Sequence, residues 1–338
     1  MKAIALISGG LDSSLAAKLI KGLGVELIAL NTVTPFCLCN HHSSSGCFHT
    51  THQTAKNLGL KLVTIDVSGE ILKIVERPKH GYGSNMNPCI DCRILLFKKA
   101  KEAMDKERAS FVITGEVVGQ RPMSQKLNTM LLIEREAGLE DLVLRPLSAK
   151  ILKPTLPERE GWVRRDKLLS FSGRGRSQQI ALAKELGIND YPCPSGGCLL
   201  TDPQYSKRLR DLLDHGEFNL SNVRMLRWGR HFRLNAQTKI AIGRNESENN
   251  QLASLAEPGD YVFIPDSKVA GPTSLGRGVF NEELLRLSCR IISRYCDLNG
   301  KTSVDITYSQ KAGTQPQSQA LNLSVSPLGP EELINLRI

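Results

Sequence analysis

The first half of the chain predicts an α/β fold with a parallel sheet. Two observations predict it. Strand-length apolar runs alternate with helix-length amphipathic stretches. The first strand-to-helix turn is also glycine-bearing and rich in hydroxyls, as the ligand edge of such sheets requires. The strands in order are Ala3-Ile4-Ala5-Leu6-Ile7, then 25–30, 61–66, 111–114 and 142–144. Helical patterns stand at 11–20, 49–58, 93–106 and around 130–136. Residues 150–200 hold Pro154, Pro157, Pro192 and Pro194 around one helical stretch near 176–186, and read as an irregular extension of the same domain, which spans 1–200. Residues 201–215 read as a connecting helix.

From 216 to 338 the pattern changes to a smaller α+β domain. Strands are expected at 238–243, 260–264, 302–308 and 321–325, and helices near 245–256 and 279–296. Cys289 and Cys296 fall on one side of the last helix and read as buried structural thiols.

The turn after the first strand is Ser8-Gly9-Gly10-Leu11-Asp12-Ser13-Ser14. Its backbone N–H groups and the helix N-terminus form an anion cradle. Gly9 and Gly10 let the backbone approach a phosphate, and Ser8, Ser13 and Ser14 add hydroxyls. Asp12 suits such a site if Mg²⁺ accompanies the phosphate or if the acid caps the helix.

The 338 residues carry a net charge of +10, which favours a polyanionic partner. Between Lys207 and Arg244 nine Lys and Arg face three Asp and Glu, so the excess is concentrated there. Within that stretch Arg227, Arg230, Arg233, Lys239 and Arg244 are the candidate RNA contacts, with Trp228, His231 and Phe232 as stacking partners. No apolar run reaches the roughly eighteen residues a membrane span needs, and the opening Met-Lys starts a core strand, so a cytoplasmic location is expected.

The nine cysteines occur in short groups, which in a reducing compartment points to metal or sulfur chemistry. Pro88-Cys89-Ile90-Asp91-Cys92 opens a helix, where the dipole and Arg93 favour thiolate. Pro192-Cys193-Pro194-Ser195-Gly196-Gly197-Cys198 is a Pro/Gly turn. Cys89, Cys92 and Cys198 are expected to converge, Cys198 being favoured over Cys193 because Gly196-Gly197 free its backbone. Three chemistries fit: a persulfide–disulfide cycle, an iron–sulfur cluster with one open iron, and a structural zinc. A third group, Cys37, Cys39 and Cys47 with His41, His42, His49 and His52, is a candidate zinc site or a polar loop.

Two further segments border the expected ligand edge. Residues 81–88, Gly- and Asn-rich, read as a loop that reshapes over a substrate or as a passive connector. In 115–125, Glu116 is a Mg²⁺ ligand, a hydroxyl-orienting group or a helix cap, and Arg121 a phosphate contact. Arg174-Gly175-Arg176 is a second phosphate clamp or a solvated basic face.

Residues 8–14 resemble the SGGxDS signature of the PP-loop ATP pyrophosphatases. That resemblance implies cleavage of ATP between the α- and β-phosphates and adenylation of an oxygen on a second substrate. Asn87-Pro88-Cys89-Ile90-Asp91-Cys92 is similar to the NPCxxC segment of bacterial tRNA 2-thiouridylases, and Thr114-Gly115-Glu116 stands where that family has Thr-Gly-His. A CxxC with a later cysteine is also similar to the cluster-dependent tRNA thiolases. Over residues 1–200 the resemblance implies ATP binding by Ser8, Gly9, Gly10, Asp12, Ser13, Ser14, Gly115 and Glu116, and catalytic roles for Asp12, Cys89, Cys92 and Cys198. It implies ATP and Mg²⁺, with Cys89, Cys92 and Cys198 holding a [4Fe-4S] cluster in one version. Lys239-Ile240-Ala241-Ile242-Gly243-Arg244-Asn245-Glu246-Ser247-Glu248-Asn249 and Val304-Asp305-Ile306-Thr307-Tyr308 resemble the NFACT-R RNA-binding domain.

The expectation is a tRNA sulfur transferase that adenylates a uridine carbonyl oxygen and replaces it with sulfur from sulfide or a persulfide carrier. Two other classes stay open: a PP-loop enzyme adenylating a small molecule or protein, and a non-catalytic RNA-binding or metal-sensing protein.

Overall fold

The computed structural model describes residues 1–37, 46–188, 191, 197–312 and 320–338, with side chains omitted at 46–50. The chain divides into two compact units, Met1–Asp202 and Pro203–Ile338.

In the first unit five strands form one wholly parallel sheet: β1 (Lys2–Leu6), β2 (Glu26–Val33), β3 (Lys61–Asp66), β4 (Phe111–Thr114) and β5 (Val143–Leu144). Their order is β3-β2-β1-β4-β5. The helices are α1 (Leu11–Gly22), α2 (Gly46–Asn57), α3 (Ser68–Glu76), α4 (Cys89–Glu107), α5 (Leu127–Ala137), α6 (Leu156–Arg159) and α7 (Ser177–Glu185). The strands are apolar on both faces because helices cover both. Ala3 and Ala5 of β1 join Ala17 and Ile20 of α1 in one core, while Ile4 joins Ile94 and Phe97 of α4 in the other. The small alanines let α1 lie close to the sheet, which holds the turn before it against the sheet's carboxyl edge. Strand order reverses between β1 and β4, so that edge is the crevice where such sheets bind ligands.

The second unit carries a six-stranded antiparallel sheet. It begins with α8 (Pro203–Asp214) and α9 (Leu220–Met225), followed by β6 (Arg230–Asn235), β7 (Thr238–Ile242), α10 (Glu246–Ser254), β8 (Tyr261–Pro265) and β9 (Ser274–Gly278). Then come α11 (Glu282–Ser293), β10 (Val304–Gln310), β11 (Leu321–Val325) and α12 (Pro330–Leu336). The strand order is β11-β10-β8-β9-β7-β6. Strands β6 and β9 were not among the expected four. β6 is masked by its charges and β9 by its glycines, for a definite reason: a Cβ on Gly276 would meet the Phe280 ring at 2.6 Å. Aromatic rings fill the space that side chains of a strand normally occupy. Cys289 is buried in this core, whereas Cys296 lies beyond the end of α11. Among the described residues no helix is long and apolar enough to cross a membrane.

Candidate active site and RNA-binding face

The turn after β1 is shaped as a cradle. Gly9 has φ of +74°, a conformation that favours glycine, and Gly10 stands at the N-cap of α1. The Ser13 hydroxyl donates to the Gly10 carbonyl at 2.8 Å and the Ser14 hydroxyl to the same oxygen at 3.1 Å. The Ser8 N–H donates to Ser13 Oγ at 3.3 Å. Asp12 is not the helix cap; it lies in the first turn of α1. Its Oδ2 accepts from Gln120 Nε2 at 3.0 Å and lies 3.7 Å from an Arg176 guanidinium nitrogen. Its Oδ1 is buried without a hydrogen-bond partner. An acceptor left this way beside a phosphate cradle fits a cation brought in with the nucleotide.

Gly115, just past β4, closes the cradle from the other side. A Cβ there would stand 2.4 Å from the Asp12 carbonyl carbon and 2.4 Å from the Ser13 nitrogen. Only glycine permits this approach. Glu116 follows it and is 1% exposed. Its carboxylate meets Arg93 at 2.8 Å and Arg145 at 3.0 Å, and Arg145 also pairs with buried Glu134. Burial alone would raise the Glu116 pKa; the two guanidiniums outweigh it and hold the group below its usual range. The structure corrects the helix-cap reading of Glu116, because its side chain is committed to two arginines. Nothing in the sequence pairs Arg93, Arg145 and Glu134 with it; they come from α4, the loop after β5 and α5.

Arg93 follows Cys92, so this carboxylate ties the cradle to the CxxC. Cys89 and Cys92 lie in the first turn of α4, where the Cys92 N–H donates to the Pro88 carbonyl at 2.9 Å. Cys198 stands opposite Cys37 in an isolated antiparallel bridge. The stretch that follows Cys198 is held by three bonds. Leu199 N–H donates to the Phe36 carbonyl at 2.9 Å, Met86 N–H to the Leu200 carbonyl at 3.1 Å, and Asn85 Nδ2 to the Thr201 carbonyl at 2.7 Å. Segment 81–88 is thus pinned at Asn85 and buried Met86 to the stretch after Cys198. Burial pushes the Cys92 thiol up to about 11, Cys89 raises it further, and Arg93 and Arg121 oppose. Burial likewise lifts Cys198 to about 12, with the charges of Cys92, Cys89 and Cys37 adding to it. These thiols share one environment. Among the described residues no three His, Cys, Asp or Glu side chains stand ready as metal ligands. Thiols are the ligands a soft metal prefers, and Arg93 and Arg121 supply the positive charge that acts on Cys92 here. Cys193 and Cys39 lie outside the described residues, as do the side chains of Cys47 and His49.

In the second unit the candidate RNA contacts separate into two groups. Lys239 is 1% exposed and faces Glu217 at 3.3 Å. Arg233 is bound by Asp211 and Glu217, and His231 and Phe232 are buried. These four are structural, which corrects their assignment to an RNA surface. Phe232 faces the core of the sheet, while Arg233 and its cross-strand neighbour Lys239 face Asp211 of α8 and Glu217 just beyond it. Arg230 and Arg244 instead line a cavity of about 360 Å³ with Gly243, Asn245, Asn249 and Tyr295. The Arg230 guanidinium lies 4.6 Å from the Tyr295 ring centre, and Arg227 lies over Trp228 at 5.8 Å. Glu248 orders the rim by accepting from the Gly229 and Arg244 backbone N–H groups at 3.1 and 3.0 Å.

Residues 1–151 match the family model described as thiamine biosynthesis protein (ThiI), and residues 229–336 match the NFACT protein RNA binding domain. The first unit is thus similar to ThiI proteins over most of its length, and the second to NFACT RNA-binding domains. A tRNA sulfurtransferase of Desulfurococcus amylolyticus is 26% identical over 146 residues, covering 43% of this chain and 29% of that one. A probable tRNA sulfurtransferase of Ureaplasma parvum is 30% identical over 156 residues, covering 44% of this chain and 37% of that one. The chain therefore spans about a third of the length of these curated relatives. A 4-thiouridine synthetase in complex with RNA and ATP aligns with a TM-score of 0.39 and 23% identity, over 55% of this chain and 41% of that one.

Proposed function

We propose that this protein is an ATP-dependent tRNA sulfur transferase. One observation carries the reading: a chain of contacts links the turn after β1 to the helix that the CxxC opens. Gly115 abuts the Asp12–Ser13 peptide, its neighbour Glu116 holds Arg93, and Arg93 follows Cys92. The named tRNA sulfurtransferase relatives support the same reading over the PP-loop domain.

In this reading Ser8, Gly9, Gly10, Ser13 and Ser14 hold the phosphates of ATP, and Asp12 holds Mg²⁺ through the oxygen left without a protein partner. A uridine carbonyl oxygen attacks the α-phosphorus and pyrophosphate leaves. The uridine carbon then carries adenylate as its leaving group. Hydrosulfide adds to that carbon, AMP departs, and the proton of the hydrosulfide passes to solvent, with no net oxidation. Where sulfur arrives as a persulfide, Cys89, Cys92 and Cys198 supply the carrying and resolving thiols, and a disulfide accompanies the product. If the site holds an iron–sulfur cluster, those three residues are its ligands and the cluster supplies an electrophilic position for sulfide. Arg230 and Arg244 contact the RNA backbone and Tyr295 offers a stacking face. A tRNA substrate and reduced thiols fit a cytoplasmic location.

The test is pyrophosphate release by the full chain with and without bulk tRNA, followed by nucleoside analysis of that tRNA. Thiouridine formation with tRNA-stimulated pyrophosphate release, both lost in Asp12→Ala, is expected. Pyrophosphate release indifferent to tRNA, with a small molecule or protein modified instead, would overturn it.

A further inference from the structure

The sequence leaves Arg174-Gly175-Arg176 open between a phosphate clamp and a solvated basic face. The fold separates its two arginines. Arg174 is exposed. Arg176 is half-buried, with a guanidinium nitrogen 3.7 Å from Asp12 Oδ2. That is an ion pair, but too long for a hydrogen bond. Gln120 Nε2 already holds the same oxygen at 3.0 Å. Among the described residues no hydrogen bond commits the five N–H donors of Arg176.

The backbone that presents Arg176 is fixed to the ligand edge. Ser172 pairs with Val118 in an isolated parallel bridge, and the Gly173 N–H donates to the Val118 carbonyl at 2.8 Å. The Phe171 N–H donates to the Leu147 carbonyl at 2.7 Å. Arg176 is the N-cap residue of α7, and Ala183 of that helix packs with Leu11 and Leu15 of α1. A guanidinium is thereby carried to the first turn of the helix whose N-terminus forms the cradle. The contacts from the cradle to the CxxC run through Gly115, Glu116 and Arg93, and Arg176 belongs to none of them.

We propose that Arg176 binds the β- and γ-phosphates of ATP and stabilises pyrophosphate as it leaves. This rests on the reading of the turn after β1 as an ATP site. Without nucleotide the guanidinium leans on Asp12. A cation that arrives with the nucleotide claims that carboxylate and releases Arg176 to the polyphosphate. Most of the charge of ATP lies on its β- and γ-phosphates, and a planar guanidinium matches their oxygens in pairs. As the acceptor oxygen bonds to the α-phosphorus, the bond from that phosphorus to the bridging oxygen breaks. Its electron pair leaves with pyrophosphate. The charge growing there meets the N–H donors of Arg176, and no proton is transferred.

The experiment measures equilibrium binding of α,β-methylene ATP, AMP and inorganic pyrophosphate, each with Mg²⁺, to the full chain by calorimetry. The methylene group replaces the oxygen of the bond that breaks, so nothing turns over. Arg176→Ala should weaken the ATP analogue and pyrophosphate by about ten- to a hundredfold, the range for a charged hydrogen bond, and leave AMP unchanged. Arg176→Lys keeps the charge without the fork and should recover part of the loss. Arg174→Ala should bind all three as wild type does. Unaltered binding of the analogue by Arg176→Ala would overturn the proposal. So would an equal loss of analogue and AMP, which marks a structural role or a contact nearer the adenosine. A loss in Arg174→Ala as large as in Arg176→Ala would also overturn it and return both residues to a general basic face. Wild type that binds none of the three would sink the ATP reading and this proposal together. Wild type that binds the analogue no better than Arg176→Ala does would sink this proposal alone.

Discussion

Gly115 lies flat against the peptide joining Asp12 to Ser13, at a distance that leaves no room for a methyl group. The end of β4 and the start of α1 are thus fitted to each other through one missing Cβ. Gly115→Ala should push the 114–116 loop away from the cradle. Overpacking of this kind costs about 1–3 kcal/mol. The expected outcome is a folded protein with a lowered melting temperature and pyrophosphate release reduced at least about tenfold, tenfold in rate being about 1.4 kcal/mol. Normal ATP turnover by this variant would show that the close approach is not needed.

Glu116 is a buried carboxylate between two guanidiniums, so its loss should be felt in stability as well as activity. Removing one partner of a buried charge pair costs about 3–5 kcal/mol. Glu116→Gln should show that loss in urea unfolding at neutral pH. The sign with pH follows from its lowered folded pKa: the contribution is complete above the ordinary carboxylate range and is lost as pH falls through the lowered folded value. The gap between wild type and Glu116→Gln should therefore narrow in acid. A gap that widens in acid would contradict the network.

Lys239 gives a dependence of the same sign in a more alkaline window. Burial lowers it to about 8 from 10.5, with Glu217 pulling the other way. Between those values the unfolded chain keeps the proton that the folded chain has shed, so stability rises with pH there. Relative to Lys239→Met, wild type should gain on the order of 3 kcal/mol across that window, a shift of one pKa unit being about 1.4 kcal/mol. Chemical denaturation at pH 7.5 and pH 10 would measure it, and no relative gain would remove Lys239 from its buried position.

The two groups of basic residues should also separate in RNA binding. Arg230→Ala and Arg244→Ala should each weaken tRNA binding and make the log–log salt dependence shallower by about one. Lys239→Met should leave the salt slope unchanged. Filter binding of the full chain over a salt series reads both; equal effects from all three would put Lys239 back on the surface.

The parallel sheet was legible because its strands are short, apolar and separated by helix-length segments. Gly9, Gly10 and the serines around Asp12 were legible because phosphate cradles are local in sequence. What could not be read was everything set by contact between distant segments. Glu116 acquires its two arginines only when α4 and the loop after β5 arrive. Lys239 and Arg233 look like surface charges in a list of residues, and only their cross-strand pairing and the acids Asp211 and Glu217 make them interior. Cys37 followed the same rule: proximity in sequence suggested Cys39 and Cys47, and the backbone bridge gave it Cys198.

That bridge sets an order of assembly during synthesis. The turn after β1 gains Gly115 and Gln120 as soon as β4 and its loop have been made. The cysteines of the first unit are complete far later: Cys37 follows β2, Cys89 and Cys92 open α4, and Cys198, the bridge partner of Cys37, lies at the very end of the unit. A chain arrested at residue 151, the end of the ThiI match, would hold nucleotide with a fragment of the sulfur chemistry. The bridge that joins Cys37 to Cys198 can therefore close only once nearly the whole of the first unit has been made.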